Sequence, residues 1–330
     1  MRAPEKKGMV SYAVFLNYNG KRHLEYCLPS FFASSRGKVV PVVVDSGSVD
    51  GSQEFLRGNY PGVKLIQLPH NLGWAGGNNV GILYALAKGA DYVFVLNTDI
   101  KMGRNFFSAI IKAGQSNPHY GVFGCKIRYM DTLVLQAAGG GMLSAENPSG
   151  ARHSGQDEDD RGQHERVREL DYVYEPAFAV KRGVFEKVGL LDPEWFILME
   201  GADFCLRARR AGFRTVYVPQ AVIEHEVSGS TNRKKNKFVS PAFFLRILLA
   251  GGRNGLRFML KHFGARDAIR YQIRAFEDSL LKLPSKPHLL PLQLYGVMWN
   301  FVNLPATISR RHKTREEYEE EYRQILENNP

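Results

Sequence analysis

Three cysteines in 330 residues, Cys27, Cys125 and Cys205, are too few and too far apart for a disulfide framework or a cysteine-held metal. That scarcity fits a reducing compartment such as the cytosol. No secretory leader is read at the start: Met1–Met9 is polar and basic, and Val10–Asn17 is too short for a signal core and reads as a strand. Long apolar runs are nearly absent. Leu289–Ser309 has no charged residue and approaches the length of a membrane span, yet Pro291, Gln293, Asn300, Asn303 and Pro305 speak against a transmembrane helix. Two readings stay open for it: a segment lying in the membrane interface, with Tyr295 and Trp299 as interfacial aromatics, or a helix packed on the rest of the chain. Acidic residues are in deficit, 33 against 44 Lys and Arg, for a formal net charge of +11.

A basic chain suits nucleic acid, anionic lipid or phosphorylated substrates. The positive residues concentrate in Arg233, Lys234, Lys235 and Lys237 and in Arg310, Arg311, His312, Lys313 and Arg315, with a lighter series from Arg246 to Arg274 between them. Aromatics there follow an apolar helical spacing and not that of stacking platforms, which argues against nucleic acid. Apolar residues make up 44% and charged residues 23%, enough for a sizeable core. Gly150–Glu169, polar and charged, reads as a mobile surface loop.

Strand and helix signals alternate early. Ser11–Leu16, Val39–Val44, Val63–Leu68 and Tyr92–Leu96 are apolar strand candidates, separated by helical spacings at His23–Ser34, Asp50–Arg57 and Ala75–Lys88. The order predicts an α/β fold, an open parallel sheet with helices on both faces. Such sheets bind ligands at the carboxyl ends of their strands. The four strands lead in turn into Asn17-Tyr18-Asn19-Gly20, Asp45 to Ser52, Asn71 to Asn79, and Asn97-Thr98-Asp99, a convergent set of Asn, Asp, Gly and Ser.

Each motif carries a structural and a chemical reading. Asp45 can accept from a base N–H or a ribose hydroxyl, or it can cap a turn. Gly73–Asn79 lacks both the G-x-G-x-x-G spacing and a P-loop ending. It permits close backbone approach to a diphosphate or sugar at a helix N-terminus, or simply a tight loop. Asp99 can hold a divalent ion that bridges two phosphates. Glu200 and Asp203 share the start of a helix that ends at Gly212. Either can serve as general base for an acceptor hydroxyl, or cap the helix and complement its dipole. His225 can complete a metal shell or be structural.

In their order and spacing these pieces resemble the family 2 glycosyltransferases of GT-A fold, and within them the rhamnosyltransferase-like members. The matching stretches are Asn17–Gly20, Val43–Ser48, Asn71–Asn79, Leu96–Asp99, Val188–Asp192, Glu200–Arg207, Tyr217–His225, Arg253-Asn254 and Asn303–Pro305. The resemblance implies a Rossmann-like catalytic domain over residues 1–235 and a basic helical region over 236–330. It implies donor contacts from Leu16, Tyr18, Asp45, Gly76, Asn79, Asn97 and Thr98, with Asn97 in the first acidic position of the D-x-D pattern. Mg2+ or Mn2+ would sit on Asp99, with His225 as a further ligand. The implied reaction is inverting transfer from a UDP- or dTDP-sugar, dTDP-rhamnose among them, to a glycan or lipid-linked glycan. The implied place is the inner face of the cell membrane, bound peripherally to an anionic surface. The pattern departs at one position: Gly201 stands where the family's base, the acid of a Glu-Asp pair, is usual. The base therefore does not carry over, and Glu200 is the substitute, with Asp203 next. The same departure motivates an alternative, a catalytically impaired nucleotide-sugar or glycan-binding protein. Glu175-Pro176-Ala177, where a small-residue turn is common, is expected to line the acceptor side.

Overall fold

A computed structural model describes residues 9–143, 153–226, 253–309 and 314–327. The basic cluster Arg233–Lys237, Arg246 and residues 310–313 lie outside them. The chain opens as β1 (Ser11–Asn17), α1 (Lys21–Ser35), β2 (Val40–Asp45), α2 (Ser52–Asn59), β3 (Lys64–Gln67), α3 (Gly73–Ala87) and β4 (Tyr92–Asn97). The expected alternation is present, and three of the strands run one residue further than the apolar pattern alone suggests. The reason is visible in the register. Asn17 pairs with Asp45 across β1 and β2, and Leu16 pairs with Asn97 across β1 and β4, so the polar residues are the last rungs of the ladder.

The middle of the chain adds β5 (Ile100–Met102), α4 (Phe106–Ser116), β6 (Tyr120–Tyr129), β7 (Leu135–Ala138), β8 (Gly140–Gly141), β9 (Arg168–Leu170), β10 (Tyr172–Val173) and β11 (Ala177–Lys181). It ends with α5 (Arg182–Val188), α6 (Glu200–Arg210) and β12 (Arg214–His225). The main sheet has the order β3-β2-β1-β4-β11-β6-β12-β5. Its first four strands are parallel, β11 is antiparallel to β4 and to β6, and β12 runs parallel to β6. Both faces are covered, which is why the strands read as runs of Val, Phe and Leu. Val14, Val42, Val44, Val93 and Val95 face one apolar cluster with α3 and α6. Ala13, Phe15, Val43, Phe94 and Leu96 face the other, with α1 and α4.

The C-terminal helices are α7 (Gly255–His262), α8 (Ala265–Leu281), α9 (Leu289–Val302), α10 (Leu304–Ser309) and α11 (Arg315–Glu327). Leu256, Phe258 and Met259 of α7 enter the same core cluster as α3, and α11 returns to bury Tyr318 and Tyr322 there. Leu289–Ser309 is two short helices broken at Asn303, and no helix among the described residues is long and apolar enough to cross a membrane. The loop expected to be mobile is, over 153–169, tied to the sheet. Leu133 and Leu135 exchange backbone hydrogen bonds with Asp160 and Glu158 at 2.8 Å, and the Asp160 side chain is buried against Lys126 Nζ at 3.1 Å. Its polar composition reflects ion pairing in place, which composition alone cannot distinguish from solvation.

Helix α7 is fastened to α6 by buried charge. Lys261 Nζ lies 2.7 Å from Asp192 and 2.7 Å from Asp203, and Asp203 also meets His262 at 2.8 Å and Arg207 at 2.9 Å. Burial pushes both carboxyls up, but Lys261, with Arg257 at Asp192 and Arg207 at Asp203, outweighs it and holds both below the usual range. A group with a depressed folded pKa contributes stability above its unfolded value, about 4 for Asp, and loses it as pH falls through the folded value. Removing one partner of such a pair costs roughly 3–5 kcal/mol. Lys261→Met is therefore expected to lower unfolding free energy by about that much in urea at pH 7. It should also shrink the loss of stability on acidification, because the aspartates it leaves behind lose the largest of the charges that depress their pKa values. A loss under about 1 kcal/mol at pH 7 would contradict the lock.

Candidate active site

The strand ends form one polar edge. Asp45 has no exposed surface and accepts from Asn17 Nδ2 (2.8 Å), Ser48 N (2.9 Å) and Gln53 Nε2 (2.8 Å). It ties the loop after β2 to the end of β1, using three of the roughly four acceptor sites of a carboxylate. Beside it Tyr18 is 55% exposed, standing at the mouth of the edge. Leu16 is half-buried and lies against α3 so closely that a Cβ at Gly77 would be 2.4 Å from its Cδ1. Thr98 is buried, facing Gly20 of the loop after β1.

The Gly-rich stretch turns out to be the first two turns of α3, and its parts have separate tasks. Gly73 takes φ +76°, where an added Cβ would strike Phe196 at 2.6 Å. The next amide, Trp74 N–H, donates to Phe196 O at 2.6 Å. The Trp74 indole donates to Asn97 Oδ1 at 2.9 Å and stacks on Phe178 at 6.1 Å, so Asn97 is oriented by a tryptophan that sequence reading did not connect to it. Two residues expected on the donor side are placed elsewhere. Asn79 is fully buried, its amide clamping the Leu191 backbone, Nδ2 to O at 2.8 Å and N to Oδ1 at 3.1 Å. At Gly76 an added Cβ would meet Leu72 and the Tyr322 hydroxyl, so that position faces the C-terminal helix.

Asp99, in the turn between β4 and β5, and His225, the last residue of β12, come together, with Nε2 3.4 Å from Oδ1. His225 Nδ1 is 2.6 Å from Gln136 Oε1, an acceptor, so Nδ1 carries the hydrogen and Nε2 is turned to Asp99. This is the outer-shell support typical of a metal-binding imidazole. Burial raises the Asp99 carboxyl, but His225 beside it, with His23 further away, holds it below the usual range. A nitrogen and a carboxylate oxygen so arranged fit a divalent cation. Among the described residues no third His, Cys, Asp or Glu joins them, so other ligands would come from a bound anion.

The acids at the start of α6 separate sharply. Asp203, expected as a second choice of base, has no exposed surface, and its oxygens are occupied by Lys261, His262 and Arg207. Its charge is the centre of the lock. Glu200 is also fully buried, and neither oxygen meets a donor of another residue among the described residues. Burial first, and the adjacent Glu175 charge second, raise it well above the usual range. Glu175, from the turn before β11, is only partly buried, and its Oε1 accepts from Gly201 N–H at 2.6 Å. The one signal for it in the sequence was the unusual Glu175-Pro176-Ala177, read as acceptor-lining.

The sequence profile described as Glycosyl transferase family 2 matches residues 13–189. Over 239 residues the chain is 29% identical to an N-acetylglucosaminyl-diphospho-decaprenol L-rhamnosyltransferase of Mycobacterium tuberculosis, covering 67% of this chain and 77% of that protein. It is 24% identical over 200 residues to a low-salt glycan biosynthesis hexosyltransferase of Haloferax volcanii, covering 60% and 61%. Among solved structures, S. aureus TarS 1-349 in complex with UDP-GlcNAc superposes with a TM-score of 0.56 at 14% identity, over 97% of this chain and 91% of that one. The mannosyltransferase PcManGT of Pyrobaculum calidifontis, with GDP-Man and Mn2+, gives 0.52 at 17%, over 91% and 77%. At these identities the structural likeness bears on the fold, and it bears out the GT-A arrangement.

The Asn79 clamp has a direct consequence. Asn79→Ala leaves the Leu191 N–H and C=O buried and unpaired, and chemical denaturation should show a loss of about 1–3 kcal/mol. A change within about 0.5 kcal/mol, the range of surface substitutions, would return Asn79 to a ligand-facing role.

Proposed function

The chain belongs to glycosyl transferase family 2 and is a glycosyltransferase, and on that premise we propose that it performs metal-assisted, inverting transfer from a nucleoside-diphosphate sugar to a hydroxyl of a glycan or lipid-linked glycan. The observation that carries this reading is the meeting of Asp99 and His225 at the strand edge that also holds Asp45 and Asn97. Tyr18, Leu16 and the loop organised by Asp45 would take the nucleoside. Asn97, steadied by Trp74, would lie along the diphosphate, and Asp99 and His225 would hold Mg2+ or Mn2+ against it. Such an ion, when bound, neutralises charge on a diphosphate leaving group. The rest is positioning: the edge fixes the donor so that an acceptor hydroxyl approaches the anomeric carbon from the side away from the diphosphate.

The mycobacterial relative's name, a rhamnosyltransferase acting on a diphospho-decaprenol-linked sugar, supports a deoxyhexose donor such as dTDP-rhamnose and a lipid-linked acceptor for this chain. The C-terminal helices support a peripheral membrane position on the inner face. Leu294, Met298, Phe301 and Val302 of α9 are exposed, as are Leu280 and Leu281 of α8, beside the exposed cations Arg270 and Lys282. A contiguous apolar face of this kind has poor company in water.

Thermal unfolding with UDP-glucose, UDP-GlcNAc, dTDP-rhamnose and GDP-mannose, each with and without Mn2+, tests the donor reading. One of them should stabilise the protein, by about 2.7 kcal/mol at a hundredfold excess over its Kd, only when metal is present, and Asp99→Ala should abolish the effect. The reading fails if no nucleotide sugar stabilises the protein with metal, or if Asp99→Ala responds like the wild type. For the membrane, co-sedimentation with vesicles containing anionic lipid is expected, weakened by Met298→Ser/Phe301→Ser and absent with zwitterionic vesicles. Equal recovery with both vesicle types and both proteins would remove that part.

A further inference from the structure

We propose that Glu175 is the catalytic base, supplied from the turn before β11 into the space that a side chain at position 201 would occupy. The inference rests on the glycosyltransferase reading above and names the group that activates the acceptor. Its first support is steric. A Cβ at Gly201 would lie 2.9 Å from Glu175 Cγ and 3.0 Å from Oε1, so a side chain at 201 and Glu175 in its present place exclude each other. Position 201 is bare because another carboxylate fills its room.

The second support is placement. Pro176 O accepts from Asn97 N–H at 2.9 Å, and Ala177 is in register with Leu96, so Glu175 stands beside the strand end that carries Asn97 and Asp99. The third is availability. Among the acids near the start of α6, Glu200 and Asp203 are fully buried, while Glu175 keeps exposed surface. The fourth is electrostatic. Glu175 accepts the first-turn N–H of Gly201, at the positive end of α6, which favours its charged form. The Glu200 carboxyl, fully buried behind it, is pushed up by burial and by that charge. Two adjacent carboxyls with separate environments divide into one proton carrier and one proton acceptor. The other groups whose charge reaches this pair are Asp192, Asp203, Arg253 and the Cys205 thiol.

In the transfer step the acceptor hydroxyl gives its proton to a Glu175 oxygen as its own oxygen bonds to the anomeric carbon. The bond from that carbon to the diphosphate oxygen breaks, its electron pair leaving on the nucleoside diphosphate. The proton on Glu175 then passes to water. No oxidant or further reactant is needed.

The test uses the full-length protein, Mn2+, the nucleotide sugar that gives the largest thermal shift, and water as acceptor, following release of nucleoside diphosphate. Glu175→Gln keeps the oxygen that accepts from Gly201 N–H. It should lower kcat by about 10²–10⁴-fold while donor affinity by calorimetry stays within threefold of wild type. It should also remove the acidic limb of the kcat pH profile. Glu200→Gln should stay within about tenfold and keep that limb. Glu175→Ala/Gly201→Asp, which moves the acid to the vacated position, should recover at least tenfold over Glu175→Ala, an outcome that a role confined to capping α6 does not give. The assignment is overturned if Glu175→Gln binds donor and turns it over within threefold of wild type, or if wild type binds donor and releases no diphosphate at any pH. It also falls if Glu175→Gln misfolds and the relocated acid restores nothing. Failure of every nucleotide sugar to bind wild type would instead strike the functional reading beneath it.

Discussion

The site depends on one buried cation. Lys261 joins Asp192, in the loop after α5, to Asp203 on α6, and both carboxylates are out of reach of water. Without it Asp192 would keep Arg257, and Asp203 would keep Arg207 and His262, and the shared cation that joins the two would be gone. With it, α7 is drawn into the core and the first turn of α6 is held where its amides reach Glu175. The loop between these aspartates is held by related means. Phe196, Leu198 and Met199 take positive φ of 60°, 73° and 80° without being glycine, a conformation costing of order 1–3 kcal/mol per residue. Asn254 Nδ2 answers that strain by donating to Ile197 O at 2.9 Å and Leu198 O at 3.1 Å, and Arg253 donates to Glu194 O and Trp195 O. The C-terminal segment thus shapes a loop whose Phe196 carbonyl in turn receives Trp74 N–H at the head of α3.

The head of α3, the end of β4 and the turn before β11 are therefore linked through a short chain of contacts. Phe196 braces Trp74, Trp74 orients Asn97, and Asn97 N–H rests on Pro176 next to Glu175. Asn97 is a neutral amide, and the tryptophan hydrogen bond orients it. Asp99 is paired with His225, whose ring Gln136 orients through Nδ1.

Much of the fold was legible because its causes are local. Strands buried on both faces must be apolar throughout, and the Val, Phe and Leu runs at β1, β2 and β4 announced themselves that way. The polar residues closing those runs announced the binding edge, since a strand end is where a parallel sheet admits ligand. Reading by position also erred in recognisable ways. Asn79 sat among glycines that suggested a ligand loop, yet its amide was needed 112 residues away at Leu191. Asp203 sat one helical turn from Glu200 and suggested a base, yet its charge belonged to Lys261 and His262. The loop over 153–169 looked loose because ion pairs and solvated charges have the same composition.

By itself, then, the sequence determined an α/β sheet with a polar carboxyl edge, which follows from periodicity and from residues adjacent in the chain, and its motifs carried the resemblance to a glycosyltransferase family. What stands beside Gly201 was decided only in three dimensions. Glycine at 201 reads as a deletion until Glu175, 26 residues earlier, is seen filling its place. Volume exclusion acts between side chains that meet in space, and no spacing along one strand or helix records it.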